Sequence, residues 1–235
     1  LIRDLYRDSF SFKESQCTII SDKQNGINAA IDSIKRNYLE LASFIQANPL
    51  FLNSFTPVTP VDKPLIACLM SQAAQKADVG PMAAVAGALA DLAVKDMLKS
   101  GCEVAVVEDG GEVAAQSNRY IDIAVAAGND PLSKRFGFRL SEFPVGIATS
   151  SGCFSHAVSF GDAEAATIFC NNAALADAAA TAVCNVVKGE ALVGINAGIS
   201  RGLSIEGVEG IIILYKGQVG TAGKIPQMIK VNDET

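Results

Sequence analysis

Between positions 26 and 46 the apolar residues Ile27, Ile31, Ile34, Tyr38, Leu41 and Ile45 recur at steps of three and four, the period of a helix with one buried face. Asn48-Pro49 ends it, because the residue before a proline is pushed out of the helical region. Upstream, residues 10–21 alternate bulky and polar side chains (Phe10, Phe12, Cys17, Ile19), which predicts one or two strands of a half-buried antiparallel sheet. Pro57 and Pro60 mark a connector. The spacing of Ile66, Leu69, Met70, Ala73 and Ala77 predicts a second helix over Leu65–Ala77, and Gly80-Pro81 starts a third over Pro81–Lys99, closed by Gly101. That third helix is small-faced, with Ala83, Ala84, Ala86, Gly87, Ala88 and Ala90 inviting close packing.

The second half reads as short strands broken by turns. Strands are predicted at 103–108, 120–126, 145–149, 157–160 and 165–170, with tight turns at Asp109-Gly110-Gly111-Glu112 and Ser150-Ser151-Gly152. Asn172 is placed to cap a helix over 173–187 that Gly189 ends. The tail alternates strands, notably 211–215, with glycine turns. Hairpins, helices in blocks and few βαβ alternations together predict an α+β fold with largely antiparallel sheets. Nothing in the chain reads as a flexible linker, so residues 1–235 are expected to form a single domain, with a boundary near 130–145 if it holds two packed sub-units.

Composition supports a packed core: 49% of the residues are apolar and 19% charged. With 19 basic against 25 acidic residues the net charge is −6, and no Lys/Arg block offers a nucleic-acid footprint. The most apolar stretch, 81–94, is interrupted by Asp91 and is too short for a bilayer core of about 30 Å, so no membrane span is expected. Residues 1–12 lack the basic-then-apolar layout of a secretory signal, although the chain begins at Leu1 rather than Met. The six cysteines form no CxxC pair, which points to reduced thiols in a cytoplasmic protein rather than zinc or thioredoxin-like chemistry.

Asp177 and Thr181 stand four residues apart, hence on one helix face. Both offer hard oxygens, and Mg²⁺ takes one or two such protein ligands and fills its octahedron with water and phosphate. Alternatively, Asp177 lies on a solvated face and Thr181 bonds back to the helix carbonyls. Gly110 and Gly111, the turn Ser150-Ser151-Gly152 and the amides opening the helix at Pro81 could each let backbone N–H groups approach an anion. Neither a GxGxxG fingerprint nor a P-loop is present. His156, the only histidine, follows Cys153 by three residues. It is a candidate general base, or a structural side chain.

Taken together, Val79-Gly-Pro-Met-Ala-Ala-Val-Ala-Gly87, Val107-Glu-Asp-Gly-Gly-Glu112, Ala148-Thr-Ser-Ser-Gly152, Ser155-His-Ala-Val-Ser-Phe-Gly161 and Ala176-Asp-Ala-Ala-Ala-Thr-Ala182 carry a resemblance over almost the whole chain. In this order they resemble the uncharacterised ApbE-like protein family, distant relatives of the FAD:protein FMN transferases called ApbE. The resemblance implies an ApbE-like, T-fold-like architecture of two antiparallel-sheet-plus-helix units around a flavin-nucleotide cleft. It implies Mg²⁺ on Asp177 and Thr181, FAD beside Gly87, Asp91, Gly110, Gly111, Ser150, Ser151 and Gly152, and His156 in the place of an active-site histidine. A protein Ser or Thr accepting FMN is the partner it suggests; a homodimer is a separate expectation. The chain departs from the transferases where their Lys-Gly-aromatic signature is replaced by Ala86-Gly87-Ala88, and where their His-Ile-Ile-Asp-Pro segment is replaced by His156-Ala-Val-Ser-Phe160. Two other readings remain at this point: an accessory protein of sulfur assimilation using Cys153, and an interaction scaffold without catalysis.

Overall fold

The computed structural model describes residues 5–124, 136–152 and 161–230. A hairpin of β1 (Tyr6–Phe12) and β2 (Ser15–Ser21) leads into α1 (Gln24–Ala47), the short α2 (Pro49–Asn53) and α3 (Leu65–Ala77). A 3₁₀ turn at Pro81–Ala84 feeds α4 (Val85–Lys99), and β3 (Val104–Asp109) and β4 (Glu112–Ser117) form the next hairpin. After β5 (Ile121–Ala124) and β6 (Phe136–Leu140) the chain runs through β7 (Val145–Ser150) and β8 (Ala165–Cys170) to α5 (Ala173–Val186) and α6 (Ala191–Leu203). It ends in β9 (Val208–Tyr215), β10 (Gln218–Gly223) and β11 (Gln227–Lys230).

The fold is α+β. Its main sheet has eight strands in the order β1-β2-β3-β4-β7-β8-β9-β10, and a smaller sheet has the order β11-β6-β5. Each strand pair is antiparallel. In chain order, a strand pair, a block of helices and a second strand pair occur twice, with β4 against β7 at the middle of the sheet. The helices pack on one face through two apolar clusters, one around Ile19, Ile34 and Met97 and one around Met70, Ile168 and Ile213. The other face is covered by the small sheet, whose Ile121, Phe138 and Leu140 pack on Val104, Ile147 and Phe169. β3 is therefore buried on both sides, with Val104 and Val106 facing the small sheet and Ala105 and Val107 facing the helices. Burying apolar surface on both faces supplies the main driving force for this layering.

Several elements differ from the sequence reading. The helix expected from Pro81 begins as a 3₁₀ turn because Ala84 leaves the helical region, at φ −128° and ψ 14°. The turn expected around Glu112 opens a full strand, β4. The tail expected to be strands and turns contains α6, which carries Gly194, Gly198 and Gly202 at four-residue spacing. Glycine weakens a helix by about 1 kcal/mol relative to alanine, yet here the stripe lets α6 lie directly on β9. A Cβ at Gly198 would meet Ile213 and one at Gly202 would meet Ile211. The strand expected at 157–160 lies outside the described residues.

The cap expected at Asn172 is formed, its side chain accepting the Leu175 amide at 2.9 Å. The five described cysteines are free thiols. Among the described residues no single helix is long and apolar enough to cross a membrane.

Candidate functional site

The site is organised by the crossing of α4 and α5. Gly87 has no room for a side chain, because a Cβ there would overlap the Ala173 carbonyl and lie 2.8 Å from the Ala174 nitrogen. Gly146 in β7 meets the same stretch, Asn172 and Ala173, from below. The alanine-rich sequences of both helices make this backbone-to-backbone approach possible.

At that crossing each helix caps the other. Asp177, one turn into α5, accepts the Gly87 amide at 3.1 Å and is also held by the Ala86 amide, at the positive end of α4. Asp91 of α4 accepts the amides of Ala173 and Ala174, both at 2.9 Å, at the start of α5. Burial pushes the Asp91 carboxyl up to about 6, against the pull of the two amides. Both Asp91 oxygens are thus committed to helix α5. Asp91→Ala is expected to cost about 1–2 kcal/mol, as loss of a helix cap does, and to lower the melting temperature by about 2–8 °C for a chain of this size; differential scanning calorimetry reads it.

Thr181 lies one turn beyond Asp177 and is half-exposed. Among the described residues its hydroxyl has no hydrogen-bond partner, so the back-bond to the helix carbonyls is not made. It is free to ligate.

The β3–β4 turn brings further carboxylates to Asp177. Asp109 and Glu112 are register partners across Gly110 and Gly111, whose φ values of +67° and +115° give the two-residue loop the twist a hairpin needs. Asp109 is 3% exposed; its Oδ1 accepts the Gln16 amide at 3.1 Å, while Oδ2 is buried without a well-formed hydrogen bond, the Ser15 hydroxyl and Cys17 thiol lying beside the carboxylate. Burial and then the charge of Asp177 drive the Glu112 carboxyl well above the usual range, with Asp109 and Glu108 adding to it. Asp177 is raised in the same way, by burial and then by Asp109 and Asp91, against its two amide bonds. Asp109 is raised chiefly by burial.

Ser150 is buried at the end of β7, opposite Ala166 in β8. Gly152 packs against the Gly161 carbonyl, and Gly161 against the Cys184 carbonyl. The exit of β7 and the entry to β8 therefore pinch together on the last turn of α5, the turn after Thr181.

The structure thus brings Asp177 to the Gly87 amide and within charge range of Asp109 and Glu112, which flank the Gly110-Gly111 turn, with Thr181 one turn along α5 and Ser150, Ser151 and Gly152 toward its C-terminal end. Asp91 serves the start of α5. His156 and Cys153 lie outside the described residues. Asp109 and Glu112 were not singled out in the sequence as charged participants. Their signal was the Asp-Gly-Gly-Glu spacing itself, because a two-residue hairpin loop sets its flanking residues opposite one another.

This donor set fits a hard divalent cation. Crowded carboxylates whose charged forms are disfavoured, one with a buried oxygen that lacks a well-formed hydrogen bond, are electrostatically relieved by a 2+ ion. Among the described residues no three His, Cys, Asp or Glu side chains form a metal-binding group. Asp177 and Thr181 would accordingly be the protein's share of the ligands, a low count that suits Mg²⁺ with water and phosphate completing it.

The fold is similar to that of solved flavin transferases. Over 94% of both chains it matches the apo form of the Pseudomonas stutzeri flavinyl transferase ApbE, at a TM-score of 0.57 and 11% identity. It matches an ApbE protein from Thermotoga maritima at 0.59 and 12%, over 94% of this chain and 97% of that one. At sequence level, a UPF0280 protein of Methanococcus maripaludis strain C6 is 36% identical over 232 residues, covering 97% of this chain and 94% of that protein. One from Methanocaldococcus jannaschii is 36% identical over 235 residues, with the same coverage. The molecule is therefore of the ApbE-like class. Because the family model described as AbpE bacteria matches residues 4–202, the chain belongs to that family.

Proposed function

We propose that the protein binds a flavin nucleotide, or a related diphosphate, together with Mg²⁺ at Asp177 and Thr181, and that it transfers FMN from FAD to a Ser or Thr of an acceptor protein. The observation that carries this reading is that Asp177 bonds the Gly87 amide at the start of α4 and interacts with the charge of Glu112 at the β3–β4 turn, one helical turn from an unpartnered Thr181 hydroxyl. The ApbE-like fold, shared with flavin transferases, supports it.

The residues divide the work. Gly87 lets α4 and α5 touch and so sets Asp177 in place, while the paired glycines keep the β3–β4 turn free of side chains where a nucleotide would approach it. Asp177 and Thr181 would hold the cation from one helix face; the α4–α5 clasp through Asp91 fixes that face. Bound there, Mg²⁺ would withdraw charge from the pyrophosphate oxygens and make AMP a better leaving group. The charged forms of Asp109 and Glu112, which burial and mutual repulsion otherwise disfavour, would be favoured beside a bound cation.

Isothermal titration calorimetry tests this. FAD is expected to bind in the presence of Mg²⁺ and far more weakly with EDTA. Failure of FAD, FMN and ADP to bind with Mg²⁺ at millimolar concentration would end the proposal. Thr181→Val, which keeps the side-chain shape, is expected to weaken Mg²⁺-dependent FAD binding about tenfold, at the lower end of what a perturbed metal site loses. Its melting temperature should stay unchanged, and a Thr181→Ser variant should recover most of the affinity.

A further inference from the structure

A cavity of about 450 Å³ lies between α3, α4 and the start of α5, and neither Asp177 nor Thr181 lines it. Its wall is largely aliphatic, with Leu65, Leu69, Leu92, Leu98 and Leu175. Leu65 and Leu98 remain 45% and 37% exposed. Leaving large apolar side chains open to water in a concave surface is the usual state of a ligand pocket before it is filled.

Two cations stand in the same lining, Lys76 from α3 and Lys95 from α4. Among the described residues neither has an ion-pair or hydrogen-bond partner. The acid in the lining is Asp91, whose two oxygens are both taken by the Ala173 and Ala174 amides, and it forms no ion pair with either lysine. Its negative charge also keeps another anionic group away. A ligand would therefore place its anionic head at the lysines and its apolar body along the leucines.

We propose that this groove is a second ligand site, specific for an amphipathic carboxylate whose aliphatic chain lies between α3 and α4 and whose head is drawn by the charges of Lys76 and Lys95. The lysine stems extend the apolar wall while their ammonium groups reach water. The volume falls within the range of small-molecule pockets. The site shares no metal-binding side chain with the flavin reading, and Asp91 with the start of α5 separates the two.

Decanoate, kept below its micelle concentration, is the probe, with calorimetry and methyl NMR of the full chain as readouts. Saturable binding is expected, with the methyl signals of Leu69, Leu92 and Leu98 shifting. Affinity should fall about fourfold for each methylene removed from the chain. The Lys76→Gln/Lys95→Gln double variant, altered only at exposed positions, should bind at least tenfold more weakly, and decyltrimethylammonium should bind more weakly than decanoate. The proposal is overturned if decanoate gives no saturable binding or shifts only methyls elsewhere. Equal affinity in the double variant, or equally tight binding of the cationic analogue, overturns it as well.

Discussion

Asp177→Asn is expected to abolish Mg²⁺-dependent FAD binding while leaving the protein folded. The substitution keeps the size of the side chain and an acceptor for the Gly87 amide, and removes the second carboxylate oxygen with the charge that would hold the cation. Perturbing a metal site through its surroundings costs about 10- to 100-fold in affinity, so loss of the anionic ligand itself should reach or exceed the top of that range. Stability should change little, because the lost charge is one that burial, Asp109 and Asp91 already disfavour. Calorimetric titration with FAD and Mg²⁺, beside a melting curve, separates the two effects. A variant that still binds FAD in an Mg²⁺-dependent way within a few-fold of the native protein would show that Asp177 is a helix cap and nothing more.

The largest structural effect is expected at Gly87 and Gly146. Alanine at either position drives a methyl group into the backbone of Asn172 to Ala174, and backbone yields far less readily than the tip of a side chain. Overpacking a tight contact costs about 1–3 kcal/mol and sometimes more, and here the upper end applies. For a chain of this length about 3 kcal/mol corresponds to a fall of roughly 6–12 °C in melting temperature. Because the clash pushes the start of α5 away from α4, Gly87→Ala should also weaken FAD binding by separating Asp177 from its amide partner. Melting within about 2 °C of the native protein, less than about 1 kcal/mol, would mean the crossing is looser than the geometry indicates.

Part of this site was legible in the sequence, and the reason is periodicity. Asp177 and Thr181 share a face because helices repeat every 3.6 residues, and Asn172 announced the start of that helix by its type. The α+β class likewise followed from hairpin turns and blocks of helical spacing. What could not be read were approaches between distant segments: that Gly87 touches Ala173, or that Asp91 and Asp177 exchange caps across α4 and α5, depends on sheet order rather than on any local pattern. Asp91 thus entered the sequence reading beside the nucleotide, whereas its carboxylate oxygens bind the amides of α5.

Helix α6 was hidden for a related reason. Gly194, Gly198 and Gly202 look like turn residues one at a time, and only contact with Ile211 and Ile213 of β9 explains why a helix carries them. The acids of the β3–β4 turn carry no local signal beyond their spacing, because a two-residue glycine hairpin is equally well flanked by solvated carboxylates. The Asp109 oxygen that lacks a well-formed hydrogen bond shows that the residues on either side of those glycines carry as much of the site's electrostatics as the turn does.

The most direct test of the account is a crystal grown with FAD and Mn²⁺, with the cation located by its anomalous scattering. The account predicts a peak bonded to an Asp177 carboxylate oxygen and the Thr181 hydroxyl, with the FAD pyrophosphate completing its coordination beside Gly87 and the Gly110-Gly111 turn. Bound FAD with no metal at these two side chains, or with the metal held elsewhere, would contradict it.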